Sequence, residues 1–225
     1  MSDSDSFIDE VTEEVRRDRY FGYLRRYGWI AGLLVLGVVG GAAWTEYTKT
    51  QTRGKAEALG DAMLAALAYN DAGARVAALS EIDGGDGPAS AVLGFMTATE
   101  EVNAEQIDAA VTRLNAIAVD SAVPEIYRQL ASFKALVLQA DTLDANARRQ
   151  QLEALAQPGQ PFRLLAQEQL ALVDISEGDT EAALTRLNAI LRDAELTSDL
   201  QQRSIQVIVA LGGTPDVIDV VDPVN

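Results

Sequence analysis

The chain has 225 residues, of which 48% are hydrophobic and only 6% aromatic, and it contains no Cys and no His. Disulfides, Cys/His metal sites and catalysis by a histidine base are therefore excluded. Lys and Arg number 18 against 34 Asp and Glu, a net charge of −16, which argues against nucleic acid as a partner because a binder must neutralise phosphates with clustered cations.

Residues 1–26 predict a short amphipathic helix on the cytoplasmic side of a membrane. Its apolar residues recur at helical spacing: Phe7, Ile8, Val11 and Val15. Such a helix either lies among lipid headgroups or contacts a partner at the cytosolic surface, and the first alternative is favoured.

Residues 27–45, YGWIAGLLVLGVVGGAAWT, contain no charged residue. At about 1.5 Å per residue they give roughly 28 Å of helix, close to the roughly 30 Å of a bilayer's hydrocarbon core. Trp29 and Trp44 bracket the stretch, where aromatic rings favour the membrane interface. We therefore expect one transmembrane helix. Within it, Gly37 and Gly41 form a small-xxx-small pair that would admit a second helix, although glycine is also simply common in membrane helices.

A cleaved signal peptide is the alternative interpretation of this stretch. The segment before Trp29 carries seven acids, whereas a signal peptide begins with a positively charged region. Five arginines precede the stretch and three Lys or Arg residues follow it closely, which favours a cytoplasmic N-terminus. We expect a single-pass protein of a bacterial inner membrane, with its C-terminal domain in the periplasm.

Two nonapeptides differ at one position, AAVTRLNAI at residues 109–117 and AALTRLNAI at residues 182–190. Such self-similarity indicates a repeat architecture. In each copy Ala, Leu and Ile at i, i+4 and i+7 lie on one helical face. The same Leu-x-x-Ile/Leu step recurs twice more, and its leading leucines are Leu79, Leu114, Leu152 and Leu187.

Partner helices are expected between these repeated helices. Pro124 and Pro161 begin two of them, since proline suits the first helical turn. Residues 46–69 supply the first helix of the first hairpin, and Gly178-Asp179 forms a tight turn. The expected core stripe of the helix after Pro124 is Ile126, Leu130, Phe133 and Val137.

The chain is therefore predicted to be all-α, with one N-terminal transmembrane helix followed by a solenoid of degenerate helical hairpins over residues 46–213. Thr197 or Ser198 caps the last helix. Residues 214–225 are expected to form an acidic, loosely ordered tail.

The best repeat, residues 164–197, resembles the tetratricopeptide repeat. Leu170-Ala171 occupies the small packing position, the Gly178-Asp179 turn follows, and further pattern residues follow in the second helix. Three positions depart from the pattern. Gln167 replaces an aromatic residue, Asp174 replaces a tyrosine and Glu195 replaces a proline.

The whole layout resembles the YfgM-like ancillary subunits of the bacterial Sec translocon. It combines an acidic N-terminus with arginines, one membrane span and degenerate repeats that occupy most of the remaining chain. This resemblance implies a protein that associates with the SecYEG channel and a membrane-anchored periplasmic chaperone, and that assists newly exported polypeptides. A membrane-anchored scaffold for another envelope complex, in cell division or outer-membrane assembly, fits the same layout.

Tetratricopeptide domains bind extended segments or helices in a groove lined by the first helix of each hairpin. Each candidate residue for such a groove could instead be a solvated surface residue, or one whose aliphatic part packs at the edge of the core. The candidate groove residues are Tyr127, Arg128, Lys134, Arg163, Gln167, Arg203 and Gln206.

An enzyme is not expected. Ser132 and Lys134 are close in sequence, but spacing i, i+2 directs them to different sides of a helix. No glycine-rich phosphate loop follows a strand pattern. We predict no catalytic residues, no metal and no cofactor.

Overall fold

The computed structural model describes residues 3–216, with side chains described from Trp29 onward except at residues 31 and 35. These residues form nine α-helices and no β-strand, which confirms the all-α prediction. The helices are α1 (Asp3–Leu67), α2 (Ala72–Ser80), α3 (Pro88–Asn103), α4 (Ile107–Val119), α5 (Glu125–Leu138), α6 (Ala145–Leu155), α7 (Arg163–Ser176), α8 (Thr180–Leu191) and α9 (Ser198–Ala210).

The chain divides into two compact units, residues 1–58 and residues 59–225. In the first unit, the apolar side chains described on α1, such as Leu36 and Trp44, are exposed. Among the described residues, no helix is long and apolar enough to cross a membrane. In the stretch 27–45, where a transmembrane helix is expected, the side chains of residues 27, 28, 31 and 35 lie outside the described ones, and so do those of the amphipathic segment.

The second unit is a solenoid-like series in which each helix from α2 to α9 packs mainly against its neighbours along the chain. Its buried apolar residues form four clusters, and consecutive clusters share one helix, namely α3, α5 or α7. The four leucines of the predicted repeat have no exposed surface, which confirms the periodic seam; they are Leu79, Leu114, Leu152 and Leu187.

Four helices in this unit begin at a residue whose side chain accepts a hydrogen bond from an otherwise unpaired backbone N–H. Asp71, Asp144 and Asp179 do so at the starts of α2, α6 and α8. Thr197 does so at α9, as the sequence predicts. Gly178, with φ of 83°, ends α7 in the left-handed conformation that the turn requires.

The predicted stripe on α5 is wrong at its two ends, whereas Phe133 in its middle packs against the core. Ile126 is 46% exposed and Val137 is 38% exposed, whereas Ala131 and Ala135 have almost no exposed surface. Alanines form much of the buried face because they let neighbouring helices approach closely, and Leu136 is buried beside them. The first helix of the first hairpin is also shorter than expected, since only the end of α1 from Leu59 joins the core beside α2.

The repeat extends well beyond the nonapeptides. The three helices of a first block, residues 88–138, recur in a second block, residues 161–211, at the offset that relates the two nonapeptides. For example, α3 ends at Asn103 and α7 ends at the equivalent Ser176. The repeated unit is therefore a group of three helices, larger than one hairpin.

Candidate functional site

An arginine in each nonapeptide binds an acid twelve residues earlier. In the first block, Arg113 Nη2 in α4 donates to Glu101 Oε1 in α3 at 2.6 Å. In the second block, Arg186 Nε in α8 donates to Asp174 Oδ2 in α7 at 3.0 Å. Both carboxylates are almost fully buried, with side chains 4% and 3% exposed. A buried carboxylate needs such a partner, so these contacts fix the hairpin of each block.

Each block is also tied to the helix before it. Arg75 Nε in α2 donates to Glu100 Oε2 at 2.6 Å, and Arg149 Nη1 in α6 donates to Asp174 Oδ1 at 2.6 Å. Burial raises the pKa of Glu100, but hydrogen bonds from Arg75 and Asn103 outweigh it and leave the pKa lowered. Asp174 therefore holds two arginines, whereas the first block spreads the same task over Glu100 and Glu101.

The three departures from the tetratricopeptide pattern all accept hydrogen bonds from arginines. Gln167 Oε1 accepts from Arg186 Nη1 at 2.7 Å, and Glu195 Oε2 accepts from Arg163 Nη2 at 2.6 Å. Asp174 accepts from an arginine on each side of it. Each of these three positions therefore carries a polar acceptor that is used within the chain.

A bidentate pair closes the seam between α7 and α9. Arg203 Nε and Nη2 donate to Glu168 Oε1 and Oε2 at 2.7 and 2.9 Å. In the same block, Arg163 donates to both carboxylate oxygens of Asp193 at 2.8 and 2.9 Å. The hydrogen bonds from Arg163 and then from the backbone N–H of Glu195 lower the pKa of Asp193. The second block therefore uses these arginines internally.

The corresponding seam of the first block, between α3 and α5, contains an open cavity of about 300 Å³. Phe95 stands at the position equivalent to Glu168, and its ring packs against Tyr127 with centroids 6.4 Å apart. Lys134 is the one charged residue among those that line the cavity. The main lining residues are Val102, Leu114, Phe133, Lys134, Val137 and Leu138.

The predicted groove residues have different surroundings. Arg163, Gln167 and Arg203 are bound within the chain, and Tyr127 is half-buried against the core. Gln206 lies exposed on α9.

Two cations on α5, Arg128 and Lys134, form no ion pair with the described residues. Arg128 Nε is buried without a hydrogen-bond partner, whereas Lys134 is exposed at the cavity.

Gly37 and Gly41, the predicted helix-packing pair, lie on α1 with open space where a Cβ would stand. The cavity was not predicted, and neither was α3, which supplies Val102 to it. The signal for α3 was the constant offset between the two nonapeptides, which also relates Pro88 to Pro161 and so α3 to α7.

In the part of the chain whose side chains are described, no group of three or more acids is placed to hold a metal ion. The chain matches no family model, no curated protein and no solved structure.

Proposed function

We propose that this protein is a membrane-tethered protein-interaction module that acts as an ancillary subunit of the Sec translocon. In this proposal it assists newly exported polypeptides together with a membrane-anchored periplasmic chaperone. The observation that carries the interaction role is the open apolar cavity between α3 and α5, the first helices of two consecutive hairpins. The translocon assignment rests on the resemblance of the sequence layout.

A tether is supported by the apolar part of α1. Leu34, Leu36, Val38 and Trp44 in the first unit are between 66% and 71% exposed. Covering a large apolar side chain is worth about 1.5–3 kcal/mol, so this surface favours a bilayer or a second membrane helix over water. We propose that residues 27–45 cross the inner membrane, with the N-terminus cytoplasmic and the repeat domain periplasmic.

Tethering also explains how modest groove contacts become useful. A module held near a channel exit meets emerging chains at an effective concentration that can reach the millimolar range. Weak binding to many clients then suffices, and a tight, specific site is not required.

Site-specific photocrosslinking in cells tests the partner assignment. A photoreactive residue at Gly37 would sample membrane neighbours, one at Lys134 would sample the cavity, and one at the exposed Val119 of α4 is the control. We expect SecYEG subunits from Gly37 and exported polypeptides from Lys134. Recovery of division or outer-membrane assembly proteins, with no translocon component, would favour the envelope-scaffold alternative.

A reporter fusion tests the proposed topology. Alkaline phosphatase fused after Asn225 should be active, because that enzyme folds only in the oxidising periplasm. An inactive phosphatase together with a fluorescent cytosolic reporter at the same position would reverse the orientation.

A further inference from the structure

The cavity between α3 and α5 has the size and lining of a subsite for one or two side chains. Its volume of about 300 Å³ is at the lower end of the range for ligand pockets, and its wall is formed by Val102, Leu114, Phe133 and Leu138. Val137, at 38% exposure, leaves an apolar edge at the opening. An apolar side chain is therefore the occupant that the wall favours.

The charge at the opening is positive although the domain is acidic. Lys134 is the charged residue of the lining, and it has no ion-pair partner in the described part of the chain. The nearest acids along α3, Glu100 and Glu101, are held by Arg75 and Arg113 on other helices. No internal carboxylate among the described residues therefore neutralises Lys134 at this site.

The two other polar side chains at the opening each donate a hydrogen bond within the chain. The Thr99 hydroxyl donates to the Phe95 carbonyl at 2.9 Å, and Asn103 Nδ2 donates to Glu100 Oε2 at 3.2 Å. The Lys134 ammonium is the charged donor at the opening, and it would favour a carboxylate, since hydrogen bonds between charged groups are the stronger ones.

The second block shows the same chemistry satisfied within the chain. There Glu168 supplies a carboxylate to the cation Arg203 across the α7–α9 seam. The positions equivalent to Glu168 and Arg203 in the first block are Phe95 and Leu130, so that block has no ion pair at this place, and its cation Lys134 lies one helical turn further along α5.

We propose that the α3–α5 cavity binds a segment of a client protein in which an apolar side chain adjoins a carboxylate. The apolar side chain fills the cavity and the carboxylate pairs with Lys134. This assignment rests on the proposed interaction role, and it names the sequence chemistry that the module selects.

A labelled peptide of sequence GSGLFDGSG is the probe, measured by fluorescence anisotropy with the purified full-length chain in detergent micelles. Two matched peptides, GSGLFNGSG and GSGSSDGSG, remove the charge and the apolar side chains, respectively. We expect the first peptide to bind and each matched peptide to bind at least about 10-fold more weakly, because a charged hydrogen bond and a buried large apolar side chain each contribute about one decade of affinity or more.

Variants of the chain locate the binding. Lys134→Gln should weaken binding of GSGLFDGSG to the level of the asparagine peptide GSGLFNGSG. Val137→Ser should weaken the binding of both of these peptides. Lys55→Gln and Val119→Ser, which remove an exposed cation and an exposed apolar side chain elsewhere, should change neither. Equal binding of all three peptides, or binding that Lys134→Gln leaves unchanged, would overturn the proposal.

Other occupants give distinct results. Stronger probe binding after removal of residues 214–225, or a dimer that depends on Lys134 in sedimentation, would assign the cavity to the chain itself and overturn the proposal. Crosslinking from Gly37 does not involve the cavity. Capture of SecYEG subunits from Gly37, together with no peptide binding, would therefore overturn this inference and still support the translocon proposal.

Discussion

The two three-helix blocks share a hairpin interior but differ at the seam between their outer helices. In the first block the α3–α5 seam is apolar and open, with Phe95 packed on Tyr127 beside a cavity. In the second block the α7–α9 seam is bridged by Glu168 and Arg203. The repeated peptide thus preserves the contact within the hairpin, while the surface between hairpins is free to diverge.

This difference separates two uses of charge in one fold. Inside the hairpin, the pairs Arg113–Glu101 and Arg186–Asp174 satisfy carboxylates that are almost fully buried. Between the outer helices, the second block has the ion pair Glu168–Arg203, whereas the first block has apolar residues at the equivalent positions and a cavity further along the same two helices. Buried ion pairs add little net stability over apolar packing, so their role here is to position helices.

The largest expected effect comes from Asp174, which holds two arginines. Asp174→Asn should lower the free energy of unfolding by about 3 kcal/mol, because Arg149 and Arg186 both lose their charged acceptor in a buried place. Glu101→Gln, with one arginine affected, should cost about 2 kcal/mol. Urea unfolding followed by circular dichroism measures both.

Asp108→Asn is the matched control for these two substitutions, because Asp108 is an exposed acid on α4 with no ion pair among the described residues. It should stay within about 0.5 kcal/mol of the parent chain. Equal losses for Asp174→Asn and Glu101→Gln would show that the number of bound arginines does not set the cost.

Transplanting the first seam into the second tests the comparison directly. Arg203→Leu alone should cost about 1–2 kcal/mol, because the buried Glu168 carboxylate loses its bidentate partner. Adding Glu168→Phe, which reproduces Phe95 and Leu130 of the first block, should recover most of that loss. A double-mutant cycle with no coupling energy would mean that the pair does not act as a unit.

Periodicity was sufficient to predict the row of buried leucines that runs through the hairpins. Leu79, Leu114, Leu152 and Leu187 recur because the same apolar contact recurs at each hairpin. The predicted stripe on α5 was wrong at Ile126 and Val137 because Ala131 and Ala135 make that contact. A search for large apolar residues at helical spacing does not identify alanines. Helix α3 was not assigned for a similar reason, since its buried residues include Ala91, Thr97 and Ala98.

The site was less predictable because it depends on distances between helices. From the sequence alone, Asp174 resembles an ordinary exposed acid. In the folded chain, α6 and α8 each place an arginine beside it. The acid twelve residues before the arginine in both copies was a usable signal. A cavity carries no such signal, since its volume depends on how far α3 and α5 stand apart.

Acid should destabilise the second block through Asp193. The hydrogen bond from Arg163 and then that from the Glu195 backbone lower the pKa of Asp193 in the folded chain. The unfolded chain therefore binds this proton at a higher pH, so the stabilisation is present above about pH 4 and is lost as the pH falls through the lowered pKa.

The variant Arg163→Gln isolates this contribution. It should be less stable than the parent chain by at most about 1 kcal/mol near pH 7, and the difference should shrink toward about pH 3. Urea unfolding at the two pH values provides the measurement. A difference that grows in acid would contradict the assignment to Asp193.

The smallest expected effect compares the turns that end α3 and α7. Glu105 has φ of 60°, and its equivalent Gly178 has φ of 83°. Both turns are closed by the same backbone bond, from Gln106 N to Glu101 O at 2.7 Å and from Asp179 N to Asp174 O at 2.9 Å. A residue with a Cβ is strained in this conformation, whereas glycine adopts it freely.

Glu105→Gly should therefore stabilise the chain by about 0.5 kcal/mol, because relief of strain exceeds the added entropy of the unfolded state. Gly178→Ala should destabilise it by a similar amount, and no neighbouring atom lies within 4 Å of the added Cβ, so the cost comes from the backbone. Thermal unfolding of both variants gives the signs. A loss of stability on Glu105→Gly would mean that the Glu105 side chain contributes more than its backbone strain costs, and that the two turns are not equivalent in energy.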